Sequence, residues 1–238
     1  MPINALNSMV YAITPLRTAI ALLRVVLLGA LVVFCPGCSQ PPQQKSGGIS
    51  QEQQDNNLNH NNRAIDTATA LLKTGDVVLR MGLGTDSHLL SLLNQTDKSY
   101  SHCGIVVMER GNAYVYHSIG GEDNPDARLR RDPVAYFLSA ARNSAIAIVR
   151  YDMDDSGINR LVNVVYSDYR IRPRFDLKFD LKTDEELYCS EFVYKALLRA
   201  ARDTAYLPTS HLAAGDYVAI DNLFINKHAR LIWHTQFK

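Results

Sequence analysis

The sequence predicts an α+β domain, an antiparallel sheet with helices packed against it. Three observations carry that prediction. Two strand-like segments, "SHCGIVVM" and "AYVYHSIG", flank Arg110-Gly111-Asn112, which is hairpin turn chemistry. Two further apolar, β-branched runs, "DVVLR" and "AIAIVRY", lie on either side of that hairpin. The segments "INRLVNVVYSDY" and "LYCSEFVYKALLRAA" repeat apolar residues at helical spacing.

The N-terminus divides from the rest by composition. Arg17 and Arg24 precede the apolar run Val25–Phe34, and "CPGCSQ" follows. A basic region, a short apolar core and a small residue before a cleavage point make residues 1–38 a secretory signal of the lipoprotein kind. Cys38 is then the lipidated N-terminus, although Cys35 stands where leucine is usual three residues earlier. An uncleaved anchor helix is the alternative. Residues 39–62 are rich in Gln, Asn, Gly and Pro, with only Ile49 and Leu58 bulky and apolar, so they are expected to form a flexible linker. Residues 63–238 form the single folded domain. A signal and a tether place the protein in a bacterial cell envelope, facing the periplasm, on the outer membrane. The net charge of +1 over 238 residues gives no electrostatic case for a nucleic-acid partner. Oligomeric state is not readable.

Along the folded part, "RAIDTATALLKTG" predicts a short helix ending at Gly75. "SHLLSLLNQ" predicts another, capped by Ser87, with Leu89, Leu92 and Leu93 on one face. "RDPVAYFLSAA" predicts a third, with Asp132 as cap and Pro133 in its first turn. "RPRFDLKFDLKTD" is a charged loop. The tail from His211 onward mixes short apolar pieces without a clear assignment.

Cys103 and Cys189 are the cysteines of the folded part. Strand alternation puts Cys103 and His102 on opposite faces, so Cys103 is most simply a small buried residue. Cys189 has two local readings. A helix starting there would favour the thiolate through the helix N-terminal dipole, as a nucleophile needs. A helix starting at the "TDEE" capping box, from Thr183, would leave Cys189 as an ordinary core residue of the second turn. A base must accompany a nucleophilic thiol. Two hairpin registers are open, pairing 102 with 117 or 102 with 119, and both put His102 and His117 on one face. One histidine is then base and the other its orienter. A His–His–Cys metal site competes, without the close ligand pairs typical of structural zinc.

The motifs "GDVVLR", "SHCGIVV", "YVYHSIGG" and "YCSEFVYKA" together resemble the circularly permuted branch of the NlpC-type papain-like superfamily, the YiiX-, YebB- and YaeF-like proteins. The resemblance spans most of residues 73–200. It implies a permuted papain-like fold with the nucleophile at a helix N-terminus and the histidine strand ahead of the cysteine helix. It implies Cys189 as nucleophile, His102 as general base and His117 at the third polar position. It also implies a helix starting at Cys189. No metal and no cofactor are expected. Relatives often carry a tyrosine where Phe175 stands, so a hydroxyl is missing here. The reaction implied is thiol hydrolysis of amide bonds through a thioacyl intermediate, on cell-wall peptides or amino-acid amides. A lipid acyl hydrolase or acyltransferase of the lecithin–retinol acyltransferase type, and a catalytically silent binding module, are the competing classes. The partners expected are therefore a peptide or lipid substrate and a membrane reached through the N-terminal anchor.

Overall fold

The structure, a computed structural model, describes residues 49–121, 124–213 and 215–238. The signal expected over 1–38, Cys38 with it, and residues 39–48 of the expected linker lie outside the described residues. In chain order the elements are α1 (Gln51–Leu71), β1 (Val77–Gly82), α2 (Thr85–Ser91), β2 (His102–Glu109), β3 (Asn112–His117), β4 (Arg130–Pro133), α3 (Val134–Phe137), β5 (Asn143–Tyr151), α4 (Asp155–Ile171), α5 (Cys189–Ala201), β6 (Ser210–Leu212), β7 (Gly215–Tyr217) and β8 (Ala229–Gln236). Among them, no helix is long and apolar enough to cross a membrane.

Six strands form one antiparallel sheet in the order β4-β3-β2-β1-β5-β8, and β6 and β7 make a separate pair. The hairpin β2–β3 turns at Arg110 and Gly111, both with positive φ (49° and 85°), the conformation of a two-residue hairpin turn. Ile105 faces Tyr116, so 102 aligns with 119, the second of the two expected registers.

The sheet divides the core by strand parity. Val77, Leu79, Cys103, Ile105 and Val107 face α4 and α5, where Leu161, Val165, Phe192, Val193 and Leu197 meet them, all deeply buried. Each such side chain contributes about 1.5–3 kcal/mol on burial. Val78, Val106, Val115, Ile146 and Ile148 face the other way, toward Ala68 of α1 and Val134, Phe137 and Leu138 around α3. The result is helices, sheet, helices: α+β, as the patterning predicts.

Three local expectations need correction. Residues 51–62 are helical, not a flexible linker, and the folded unit starts near Ile49 rather than Arg63. The composition argument holds for burial, since residues 51–60 are mostly exposed. It fails for helicity because the ends and one face are tied. The Ser50 Oγ caps Gln53 N–H at 3.2 Å, Gln51 and Gln53 bond Asp55 and Asn57 one turn on, and buried Asn61 makes two 3.0 Å hydrogen bonds with Lys238. α2 starts at Thr85 after Gly84, so Ser87 is not its cap, and Leu89 and Leu92 point outward. Asp132 and Pro133 belong to β4, and the helix after them is only four residues long. Pro133 has no N–H to give a ladder, which suits the edge strand it occupies.

Candidate active site

α5 begins at Cys189. Its start is fixed by what precedes it. Leu187 and Tyr188 are almost fully buried, the Ser118 hydroxyl donates to the Leu187 carbonyl at 2.5 Å, and the Tyr188 hydroxyl accepts Val218 N–H at 2.8 Å. The Glu191 carboxylate, three residues into the helix, accepts Tyr188 N–H at 3.2 Å. The acids at 184–186 therefore end a loop, with Lys195 reaching back to Asp184 at 2.7 Å and to Glu191 at 2.9 Å. The capping box from Thr183 does not form.

Cys189 thus occupies the first helical position, where free backbone N–H groups and the dipole favour a thiolate. Its thiol is buried against Cys103, and both cysteines are free thiols. A hydrogen bond from Cys103 lowers the Cys189 pKa; burial opposes it, and the Ser190 backbone N–H supports it. The Cys103 thiol moves the opposite way, raised first by burial and then by Cys189.

On the opposite face of the sheet the two histidines meet. His102 Nε2 and His117 Nδ1 are 2.9 Å apart, and His117 Nε2 lies 3.0 Å from Asp132 Oδ2. Arg130 donates to the other Asp132 oxygen at 2.8 Å. This chain, imidazole–imidazole–carboxylate–guanidinium, runs across β2, β3 and β4. Gly104 makes the approach possible. A Cβ there would sit 2.8 Å from the Tyr116 carbonyl oxygen and 2.9 Å from His117 Cβ. Phe137 closes the chain from the side, with ring centroids 5.6 Å and 5.1 Å from those of His102 and His117.

Burial, then the nearby Arg80 charge and His117, hold the His102 pKa well below the ordinary value, so the ring is neutral near pH 7. Burial also lowers the His117 pKa, against the pull of Asp132. Burial works against the Asp132 carboxylate, but hydrogen bonds from His117 and Arg130 outweigh it and keep it ionised. A neutral His102 that spends Nε2 on His117 keeps Nδ1 for another partner.

Of the expected site residues, His102 and His117 are therefore together, on one face as both registers require. Cys189 lies beside Cys103, the next residue of the same strand, and no hydrogen bond joins it to His102 among the described residues. Two functional neighbours escape local sequence reasoning. Asp132 carries the pattern of a helix cap, because an acid before proline and an apolar run is what starts a helix; only its pairing opposite Val115 shows its place beside His117. Cys103 reads as core, and is core, but it is also the side chain against the thiol.

The model of one protein family, described as a permuted papain-like amidase enzyme of the YaeF/YiiX, C92 family, matches residues 71–208. No curated protein matches the chain. Among solved structures, the crystal structure of the metalloprotein YiiX from Escherichia coli O157:H7 is similar, with a TM-score of 0.56 at 16% identity, covering 69% of this chain and 98% of that one. That likeness shows the fold. Among the described residues here, no group of three or more His, Cys, Asp or Glu side chains is placed to hold a metal ion, and the histidine chain spends its facing atoms on its own members. The motifs, the sheet-and-helix architecture and the match over residues 71–208 agree: the chain belongs to the permuted papain-like cysteine amidases of the YaeF/YiiX, C92 family.

Proposed function

We propose that the protein is an exported thiol amidohydrolase, held at the envelope membrane by a lipid on Cys38, that cleaves amide bonds with Cys189, His102 and His117. One observation carries the reading of the site. The His102–His117–Asp132 chain is continuous and, among the described residues, leaves His102 Nδ1 without a hydrogen-bond partner, on the residue next to the thiol's own partner Cys103.

In this reading His102, the first residue of β2, takes the Cys189 proton. The thiolate attacks the amide carbonyl, and the Cys189 backbone N–H, at the helix start, helps hold the oxyanion. The C–N bond breaks, the amine leaves with the proton from His102, and a thioacyl enzyme remains. Water, deprotonated by the same imidazole, then releases the acid. His117 holds the His102 ring, and Asp132 holds His117. Wall peptides and amino-acid amides are substrates an envelope-tethered enzyme would meet. A second reading, hydrolysis of acylated lipids, is favoured by the apolar cleft beside Cys189.

A thiol-reactive probe tests the reading. Rapid labelling at Cys189 near neutral pH, slowed at least tenfold in His102→Ala, is expected; equal labelling in both would remove His102 as base. For the anchor, labelled palmitate should enter the wild type and not Cys38→Ala; no incorporation with Cys38 intact would remove lipidation.

A further inference from the structure

The cleft that contains the Cys189 thiol contains neither histidine of the chain. Its walls are mainly Leu90, Leu93, Phe175, Phe179, Val218 and Ile220, and it is a small cleft open to solvent, with a cavity volume of about 30 Å³. Three polar side chains reach it, and each is already tied to backbone. Asn94 bonds the Tyr100 carbonyl at 2.8 Å and Ile220 N–H at 3.0 Å, Ser101 accepts Gly82 N–H at 3.3 Å, and Ser190 donates to the Val218 carbonyl at 2.7 Å. No charged side chain lines it among the described residues. Phe175 extends the apolar wall. Leu90 stands at its edge, 36% exposed on α2.

From this we propose that the cleft is the acyl subsite, and that it takes an uncharged, aliphatic acyl group. The inference rests on the amidase reading above and narrows its substrates, from wall peptides and amino-acid amides at large to amides whose acyl half is uncharged. In thiol hydrolysis the acyl half stays bonded to sulfur while the amine departs toward the acid that protonates it. His102, the acid, does not line this cleft, so the leaving amine departs away from the cleft. The retained acyl group extends into the space on the thiol's own side. A charged acyl group, such as the amino- and carboxyl-bearing side chain of a wall stem peptide, would find no counter-ion there and would have to shed its hydration. An aliphatic chain would gain from burial at each methylene, about fourfold in rate per CH2.

Two measurements test it on the full chain. Acyl p-nitroanilides from acetyl to hexanoyl, with glutaryl and lysyl as charged members, should give a kcat/KM that rises about fourfold per methylene until the cleft is full, with the charged members below acetyl. Leu90→Glu should flatten the series. A flat or falling series, or charged substrates ahead of hexanoyl, would overturn the proposal. Alkyl methanethiosulfonates from methyl to hexyl, with aminoethyl and sulfonatoethyl members, place the same groups on Cys189 without any turnover. Rates at Cys189, read by peptide mass and normalised to glutathione, should rise with chain length and be lowest for the charged reagents. If the nitroanilides are not turned over but this trend holds, the amidase reading fails and the subsite stands. If turnover occurs without either trend, the subsite fails and the amidase reading stands.

Discussion

At the residue scale the site is a division of labour between two adjacent strand positions. Cys103 points at Cys189 and His102 points away from it, toward His117 and Asp132. Asp132→Asn should lower kcat about 10²-fold with KM little changed, because it leaves the substrate cleft untouched and removes the charge that orients His117. Steady-state kinetics on a folded variant checks this; a change in KM alone would contradict it. The base must be neutral to accept a proton. Since burial, Arg80 and His117 lower the His102 pKa, neutral imidazole persists to lower pH, and the acid limb of kcat/KM should fall below pH 6.5, the ordinary histidine value. A limb above that value would contradict the assignment. Cys103→Ala removes the hydrogen bond that lowers the Cys189 pKa, so the pH midpoint of Cys189 alkylation should move up, while Cys103→Ser should restore it in part. Cys189 and His102 stand out in the sequence because their motifs are local. Strand parity separates His102 from Cys103 in the sequence, but it does not show that Cys189 comes to lie beside Cys103, since which face α5 covers is decided by packing far along the chain.

At the scale of elements, two devices set the geometry. Gly104 lets β3 bring His117 against His102. Gly104→Ala puts a methyl group into the Tyr116 carbonyl, which backbone cannot yield cheaply, and should cost about 1–3 kcal/mol in urea unfolding and most of the activity. The start of α5 depends on Glu191, fully buried, its pKa raised by burial to about 7. Glu191→Ala leaves Tyr188 N–H unpaired inside the protein and should destabilise by about 1–3 kcal/mol, with Glu191→Gln closer to wild type because it still accepts that bond. β1, β2, β3 and β5, the pair of hairpin registers and helices α4 and α5 were readable from periodicity, while β4 and the tail strands β6, β7 and β8 were not. The short α3 was not: Asp132-Pro133 looks like a helix start, and only pairing with β3 makes it an edge strand. The polar half of α1 was missed for a similar reason, since Asn61 finds its partner at Lys238, at the other end of the chain.

At the scale of the whole molecule, Cys189 lies on one face of the sheet and the histidine chain on the other, and the stability of the sheet bears on both. Asp76, 1% exposed, is held by Arg150 through two hydrogen bonds of 2.7 and 2.8 Å and accepts Lys73 N–H at 2.7 Å. It ties the loop before β1 to β5. Asp76→Ala leaves that arginine and N–H without their acceptor and should cost about 3–5 kcal/mol, measured by denaturant unfolding. The motif "GDVVLR" marks this residue in sequence without revealing its partner, which lies four strands later in the chain. The family and the α+β class were legible because four short motifs and their order survive. What links the two faces is not written locally. The most direct measurement is single-turnover mass spectrometry with an amide substrate. The account predicts a thioacyl adduct on Cys189, absent in Cys189→Ala and formed at least 10²-fold more slowly in His102→Ala. Undiminished hydrolysis by Cys189→Ala would contradict it.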